Sequence, residues 1–167
     1  MAEFLLNGLG VNGTYQIYRT LDDGTPTETS LIISPASAGA TQVYWPSGVR
    51  IGNQVYVYAT MEKGPVQSIG LWRSSGGPFE YAGHVLAPIG DEGKIGMAVV
   101  ASDPDDASAP FKMWYATRYQ PRPKDVRFAI SLDGIAWTRI GTVYTPTHAD
   151  ALQGFQLSHI CRDGGLF

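Results

Sequence analysis

Gln54-Val-Tyr-Val-Tyr-Ala-Thr60 and Phe111-Lys-Met-Trp-Tyr-Ala-Thr117 read as two versions of one strand, and the spacing between them decides the fold. Both are rich in β-branched and aromatic residues, the types that suit a pleated, half-buried surface, and both end on Tyr-Ala-Thr. Downstream, Ser68–Pro88 laid over Val126–Pro146 without gaps brings Gly76 onto Gly134, Gly83 onto Gly141, Val85 onto Val143, Pro88 onto Pro146 and Phe79 onto Trp137. Two matching segments in one order imply a period of about 58 residues. That is too long for a leucine-rich or ankyrin repeat and suits a four-stranded propeller blade with roomy loops.

Working outward, the sequence predicts four strands per unit. In the first unit these are 42–50, 54–60 after a Gly52-Asn53 turn, 67–73 after a polar loop at 62–66, and 79–86 after Ser74-Ser-Gly-Gly-Pro78. In the second they are 94–102, 111–117, 125–131 and 137–144. Gly96-Met-Ala-Val-Val-Ala101 is apolar without alternation, as a strand covered on both faces should be. Strands at 14–20 and 29–33, closed by Pro35, read as half a blade. Gln153–Cys161 reads as the inner strand of a further one. The expected fold is therefore all-β: a β-propeller of four-stranded antiparallel blades, roughly half of a ring, with two full blades and two half-blades. Its expected divisions are 1–35, 36–88, 89–146 and 147–167. Bare blade edges invite further pairing, so the ring is expected to close through a further stretch of chain or, as the alternative, a second copy.

Composition supports this class. Among 167 residues, 44% are hydrophobic and 16% charged, while 20 glycines, 11 prolines and 9 tyrosines suit many strands joined by tight turns. No apolar pattern repeats with helical period. The net charge of −3 and the scattered Lys and Arg argue against a nucleic-acid surface; the loose group Arg118–Lys124 reads as a solvated loop. The single cysteine, Cys161, cannot form an internal disulfide and reads as buried strand. Met1–Gly8 lacks the cationic start and long apolar stretch of a signal peptide, and no run is long enough to span a bilayer. The expectation is a cytoplasmic protein as synthesised, with virion or non-classical export as alternatives and no membrane partner.

Ser131-Leu-Asp133-Gly134-Ile-Ala-Trp137 lies between the predicted third and fourth strands of the second unit. Asp caps nearby backbone, Gly accepts positive φ, and Trp137 can pack between sheets. This turn resembles the Ser-x-Asp-Gly-x-x-Trp turn of five-bladed propeller glycosidases, the arabinanase, xylosidase and invertase-like group. The resemblance covers 41–146 best. It implies acidic residues near the starts of inner strands, pointing into an axial funnel and sharing nucleophile or base, acid and pKa-tuning roles. This chain departs from that pattern: Trp45-Pro46 stands where an Asp-Pro is expected, and no carboxylate lies in 39–52.

The candidate catalytic residues are then Asp91 and Glu92, just before Lys94, and Asp150 before the last inner strand. Trp45, Lys94, His148, Gln153 and Gln156 are the candidate ligand-binding residues. An aromatic face at a pocket rim is what carbohydrate stacking uses. No metal constellation is expected, since His84, His148 and His159 lack close-spaced partners and Asp103-Pro-Asp-Asp106 lacks the glycine and ligand spacing of an EF-hand; no cofactor is implied. Two functions stay open. One is a carbohydrate-recognising propeller, with hydrolysis by axial carboxylates. The other is a non-catalytic structural or receptor-binding module, such as part of a phage tail.

Overall fold

The computed structural model describes residues 2–10, 12–22, 30–119 and 122–147. His148, Asp150, Gln153, Gln156, Cys161 and the predicted last inner strand lie outside them. Among the described residues the strands are β1 (Ala2–Leu9), β2 (Tyr15–Asp22), β3 (Ser30–Ile33), β4 (Gln42–Ile51), β5 (Gln54–Lys63), β6 (Val66–Ser74), β7 (Glu80–Leu86), β8 (Lys94–Ser102), β9 (Phe111–Tyr119), β10 (Arg122–Ser131) and β11 (Thr138–Tyr144), with one 3-10 turn at Pro35–Ala38. They form three antiparallel meanders, β1-β2-β3, β4-β5-β6-β7 and β8-β9-β10-β11. The described residues are all-β apart from that turn, a run of propeller blades that among them does not close a ring.

The middle sheet is covered on both faces, so Tyr56 to Met61 of β5 are all buried. Alternation sorts them. Tyr56 and Tyr58, with Ile69, Leu71 and Leu86, meet Ile95, Ala98, Val100, Met113, Tyr115 and Ala129 of the third sheet. Val57, Ala59, Met61 and Trp72 turn the other way, towards Ile17 and Ile33 of the first sheet. Sheets thus stack face to face through two cores.

Two sequence expectations change. The N-terminal unit has three strands rather than two, because Ala2–Leu9 pairs along the whole of β2. Its Phe4-Leu-Leu6 run has no alternation to mark it as a strand. Leu5 packs over Gly48 of β4, where a Cβ would stand 3.0 Å from the Leu5 Cδ1.

The second change concerns the Tyr-Ala-Thr match. Tyr58 pairs with Leu71, three residues in from the Val55–Ser74 pair; three residues in from Phe111–Ser131 stand Trp114 and Phe128. The fold therefore equates Tyr58 with Trp114, not Tyr115. Leu71 faces Gly83 and Phe128 faces Gly141, and both glycines take positive φ at a bulge (123° and 147°). Tyr58 and Tyr115 enter one core from opposite sheets, because a one-residue slip reverses the face of every side chain.

The Asp133-Gly134 turn clasps the second and third sheets together. Ser131 Oγ accepts from Gly134 N at 2.9 Å, and Asp133 Oδ1 accepts from Ile135 N at 2.8 Å and Ala136 N at 2.9 Å. So held, Gly134 presents its carbonyl to the Tyr58 hydroxyl at 2.7 Å, and Trp137 sets its ring edge-to-face on Tyr58 at 5.8 Å. Burial pushes the Tyr58 phenol far above its ordinary range. The backbone N–H groups of Ile135 and Ala136 hold the Asp133 carboxyl below its usual value. A depressed folded pKa contributes stability that is present above the ordinary carboxylate range and lost as pH falls through the folded value. Asp133→Asn, which keeps an acceptor but no charge, is expected to flatten the fall of melting temperature below about pH 4; parallel melts of the two proteins across that range check it.

Candidate functional site

Both inner strands carry a two-residue bulge with a left-handed first residue. Trp45 (φ 52°) sits in the register break between Tyr44 and Ser47, and Met97 (φ 53°) in that between Gly96 and Val99. A bulge leaves its extra residues out of the ladder, so Pro46, which lacks an N–H, costs nothing there. The third sheet is pinned to the second around its bulge. Met97 N donates to Thr60 Oγ1 at 2.8 Å, and Val100 N to Ser47 Oγ at 2.9 Å. Trp45-Pro46, which departs from the Asp-Pro of the resemblance, is thus part of a bulge that re-aims the indole.

Around that bulge the leading end of β4 gathers polar and aromatic groups. The half-buried Trp45 ring meets Tyr44 edge-on at 4.5 Å, and Tyr15 of β2 lies 5.9 Å from Tyr44. The Tyr44 hydroxyl donates to Glu62 Oε1 at 2.5 Å. Gln67 Nε2 donates to the same Glu62 oxygen at 2.9 Å and also reaches the Tyr44 oxygen, while the buried Gln67 Oε1 has no partner. Gln42 accepts from Tyr15 N. Tyr15 stays 44% exposed, which leaves its ring open to a ligand.

Of this cluster the sequence reading named only Trp45. Glu62 falls in the expected 62–66 loop, but β5 runs on to Lys63 and pairs Glu62 with Gln42 on one side and Gln67 on the other. The carboxylate absent from the inner strand is supplied by its neighbour. Polar residues at the ends of strands predicted to pair are the signal that could have found it.

In the connection from β7 to β8, Asp91 meets Arg127 of β10, while Glu92 meets Tyr115 of β9, Arg127 of β10 and Arg139 of β11. Glu92 is fully buried. It accepts from Ile89 N and the Tyr115 hydroxyl, each at 2.9 Å, and ion-pairs with Arg127 Nη1 and Arg139 Nε, each at 3.4 Å. Asp91 holds Arg127 Nη2 at 2.9 Å, and Arg139 Nη2 donates to Ala87 O at 2.5 Å. Burial, then the hydrogen bond to Glu92, pushes the Tyr115 phenol up to about 12. This is a strap that fastens the connection to the blade. Lys94, half-buried, opens β8 as predicted.

In the acidic turn 103–110, the Lys112 ammonium binds Asp106 and the carbonyl of Ala109 at 2.8 Å, occupying the place of a cation. Lys112, then Ser108, keep the Asp106 carboxyl well below its usual range. Among the described residues no group of His, Cys, Asp and Glu could hold a metal ion, and no helix is long and apolar enough to cross a membrane.

Blades stacked face to face, with a polar and aromatic cluster at the start of an inner strand, define a partial β-propeller. No protein-family profile matches the chain, and no curated protein does. Among solved structures, a glycosyl hydrolase from Bacteroides ovatus superposes with a TM-score of 0.51 at 18% identity, over 60% of this chain and 31% of its own. A thermostable family-43 glycoside hydrolase gives 0.52 at 17%, over 89% and 61%. The chain spans about a third of the first and 61% of the second. The fold is that of glycoside-hydrolase-related propellers.

Proposed function

We propose that this chain is part of a carbohydrate-recognising propeller whose saccharide lies against Trp45, Tyr44 and Tyr15 at the leading end of β4. The observation that carries this reading is the cluster itself: aromatic rings beside a partly exposed carboxylate, Glu62, on a fold whose solved relatives act on glycosides. Sugars present apolar faces ringed by hydroxyls, so rings take the faces while carboxylate and amide take the hydroxyls. His148, Asp150, Gln153 and Gln156 would belong to the next inner strand around the same axis.

A glycan array, followed by titration of the best ligand, tests it. Trp45→Ala is expected to weaken binding by about tenfold, near 1.4 kcal/mol, and Glu62→Gln by a similar factor. Absence of glycan binding by the unaltered protein, or binding unchanged in both variants, would sink the proposal.

The burial of Glu92 favours binding without turnover. Glycoside hydrolysis needs two accessible carboxylates at a set separation, and Asp91 is tied to Arg127 while Glu92 has no exposed surface. Release of reducing sugar from a bound glycan would overturn this second reading. Asp91→Asn and Asp150→Asn would then locate the acid and base.

A further inference from the structure

The turns between third and fourth strands differ between the two four-stranded sheets, and the difference opens a cavity. In the third sheet Asp133 caps the turn and Gly134 seats it on Tyr58. In the second sheet the turn is Ser74-Ser-Gly-Gly-Pro78, with no carboxylate. Ser74 Oγ organises it, accepting from Gly76 N at 3.1 Å and donating to Gly77 O at 2.6 Å. A cavity of about 330 Å³ lies beside it, lined by Gln54, Arg73, Ser75, Gly77, Glu80 and Tyr81 among others. That volume falls at the small end of ligand pockets.

Two charges in this cavity are unspent. The Arg73 guanidinium lies 5.9 Å over the Tyr56 ring, and no described residue hydrogen-bonds or ion-pairs with it or with the Glu80 carboxylate, although the two residues are cross-strand partners. Gln54 Nε2 donates to Ser75 Oγ at 3.2 Å, which leaves the Ser75 hydroxyl proton free to donate. A guanidinium calls for a carboxylate, and its fork matches one in bidentate fashion. A carboxylate, a hydroxyl and an amide nearby call for neutral hydroxyls.

We propose that this cavity binds a single uronic acid residue, its carboxylate on Arg73 and its ring hydroxyls on Glu80 and Ser75. The site is separate from the Trp45 cluster. It sits where β5 begins and β6 ends, whereas the cluster sits towards the other end of β5, with Glu62 about 26 Å along the strand from Gln54.

Titrating the full chain with methyl glucuronide and methyl glucoside, read by amide and Arg Nε chemical shifts, tests it. The expected result is saturable shifts with the glucuronide at Gln54, Arg73, Ser75, Gly77 and Glu80, at least about tenfold weaker with the glucoside. Arg73→Gln should abolish saturation, and Arg73→Lys, which keeps the charge but loses the fork, should weaken it. Absence of saturation, equal response to both sugars, an undiminished response in Arg73→Lys, or shifts centred on Tyr44 and Trp45 instead would each overturn the assignment. The last would leave the proposed function standing, while loss of glycan binding by Trp45→Ala and Glu62→Gln would not bear on this cavity.

Discussion

Glu92→Ala is expected to destabilise the fold by about 3 kcal/mol, the cost of taking a fully buried carboxylate from the partly exposed guanidiniums of Arg139 and of Arg127, which keeps Asp91 and Asp125. Arg127 and Arg139 converge on one fully buried carboxylate, and the Nε atoms of both already lack a hydrogen-bond partner. Removing the carboxylate would also strand the Tyr115 hydroxyl and the Ile89 N–H. Glu92→Gln keeps one acceptor and the shape but not the charge, so a smaller loss is expected. Urea titration of the variants, with Arg139→Ala alone and combined with Glu92→Ala, measures the coupling; contacting partners in one network typically show a coupling of about 0.5–3 kcal/mol. If Glu92→Gln left stability untouched and instead abolished an activity on glycosides, the carboxylate would be catalytic rather than anchoring.

Gly134→Ala is the other large effect, expected near 3 kcal/mol. Gly134 has φ 73°, a left-handed conformation that costs an L residue about 1–2 kcal/mol. A Cβ there would also lie 2.7 Å from both Ile51 Cδ1 and the Tyr58 hydroxyl. Forcing those apart adds about 1–3 kcal/mol and breaks the clasp between sheets. Gly76, which falls on Gly134 in the repeat, has φ 104° and nothing within 4 Å of its would-be Cβ. Gly76→Ala should therefore show the conformational cost alone. Equal losses from the two substitutions, by thermal or urea melts, would mean that Gly134 does not bear on Tyr58.

Strands and turns were legible because their signals are local. Lys94–Ser102 has the bounds read from its apolar run, and Gly52-Asn53 and Asp133-Gly134 turn the chain where their chemistry demands. The Asp133 cap on nearby backbone and the Trp137 packing between sheets are legible in the motif as well. The candidate site was less legible. Trp45 is legible as a departure from an expected Asp, whereas Glu62 falls where a polar loop is expected, and only pairing with Gln42 and Gln67 carries β5 on to Lys63. Glu92 was legible as a carboxylate at the start of an inner strand and not as a buried ion, because the arginines that enclose it stand 35 and 47 positions later.

Alternation, turn residues and the spacing of like segments were enough on their own to dictate an all-β chain of meandering four-stranded sheets. Which face Tyr115 takes, which strand lends Tyr44 its carboxylate, and whether Glu92 meets solvent or two guanidiniums were settled only by tertiary pairing. The physical reason is the two-residue period of a strand. A shift of one residue leaves every local preference unchanged while sending each side chain to the opposite face, so partners across sheets follow from register, and register is set by the assembled sheets.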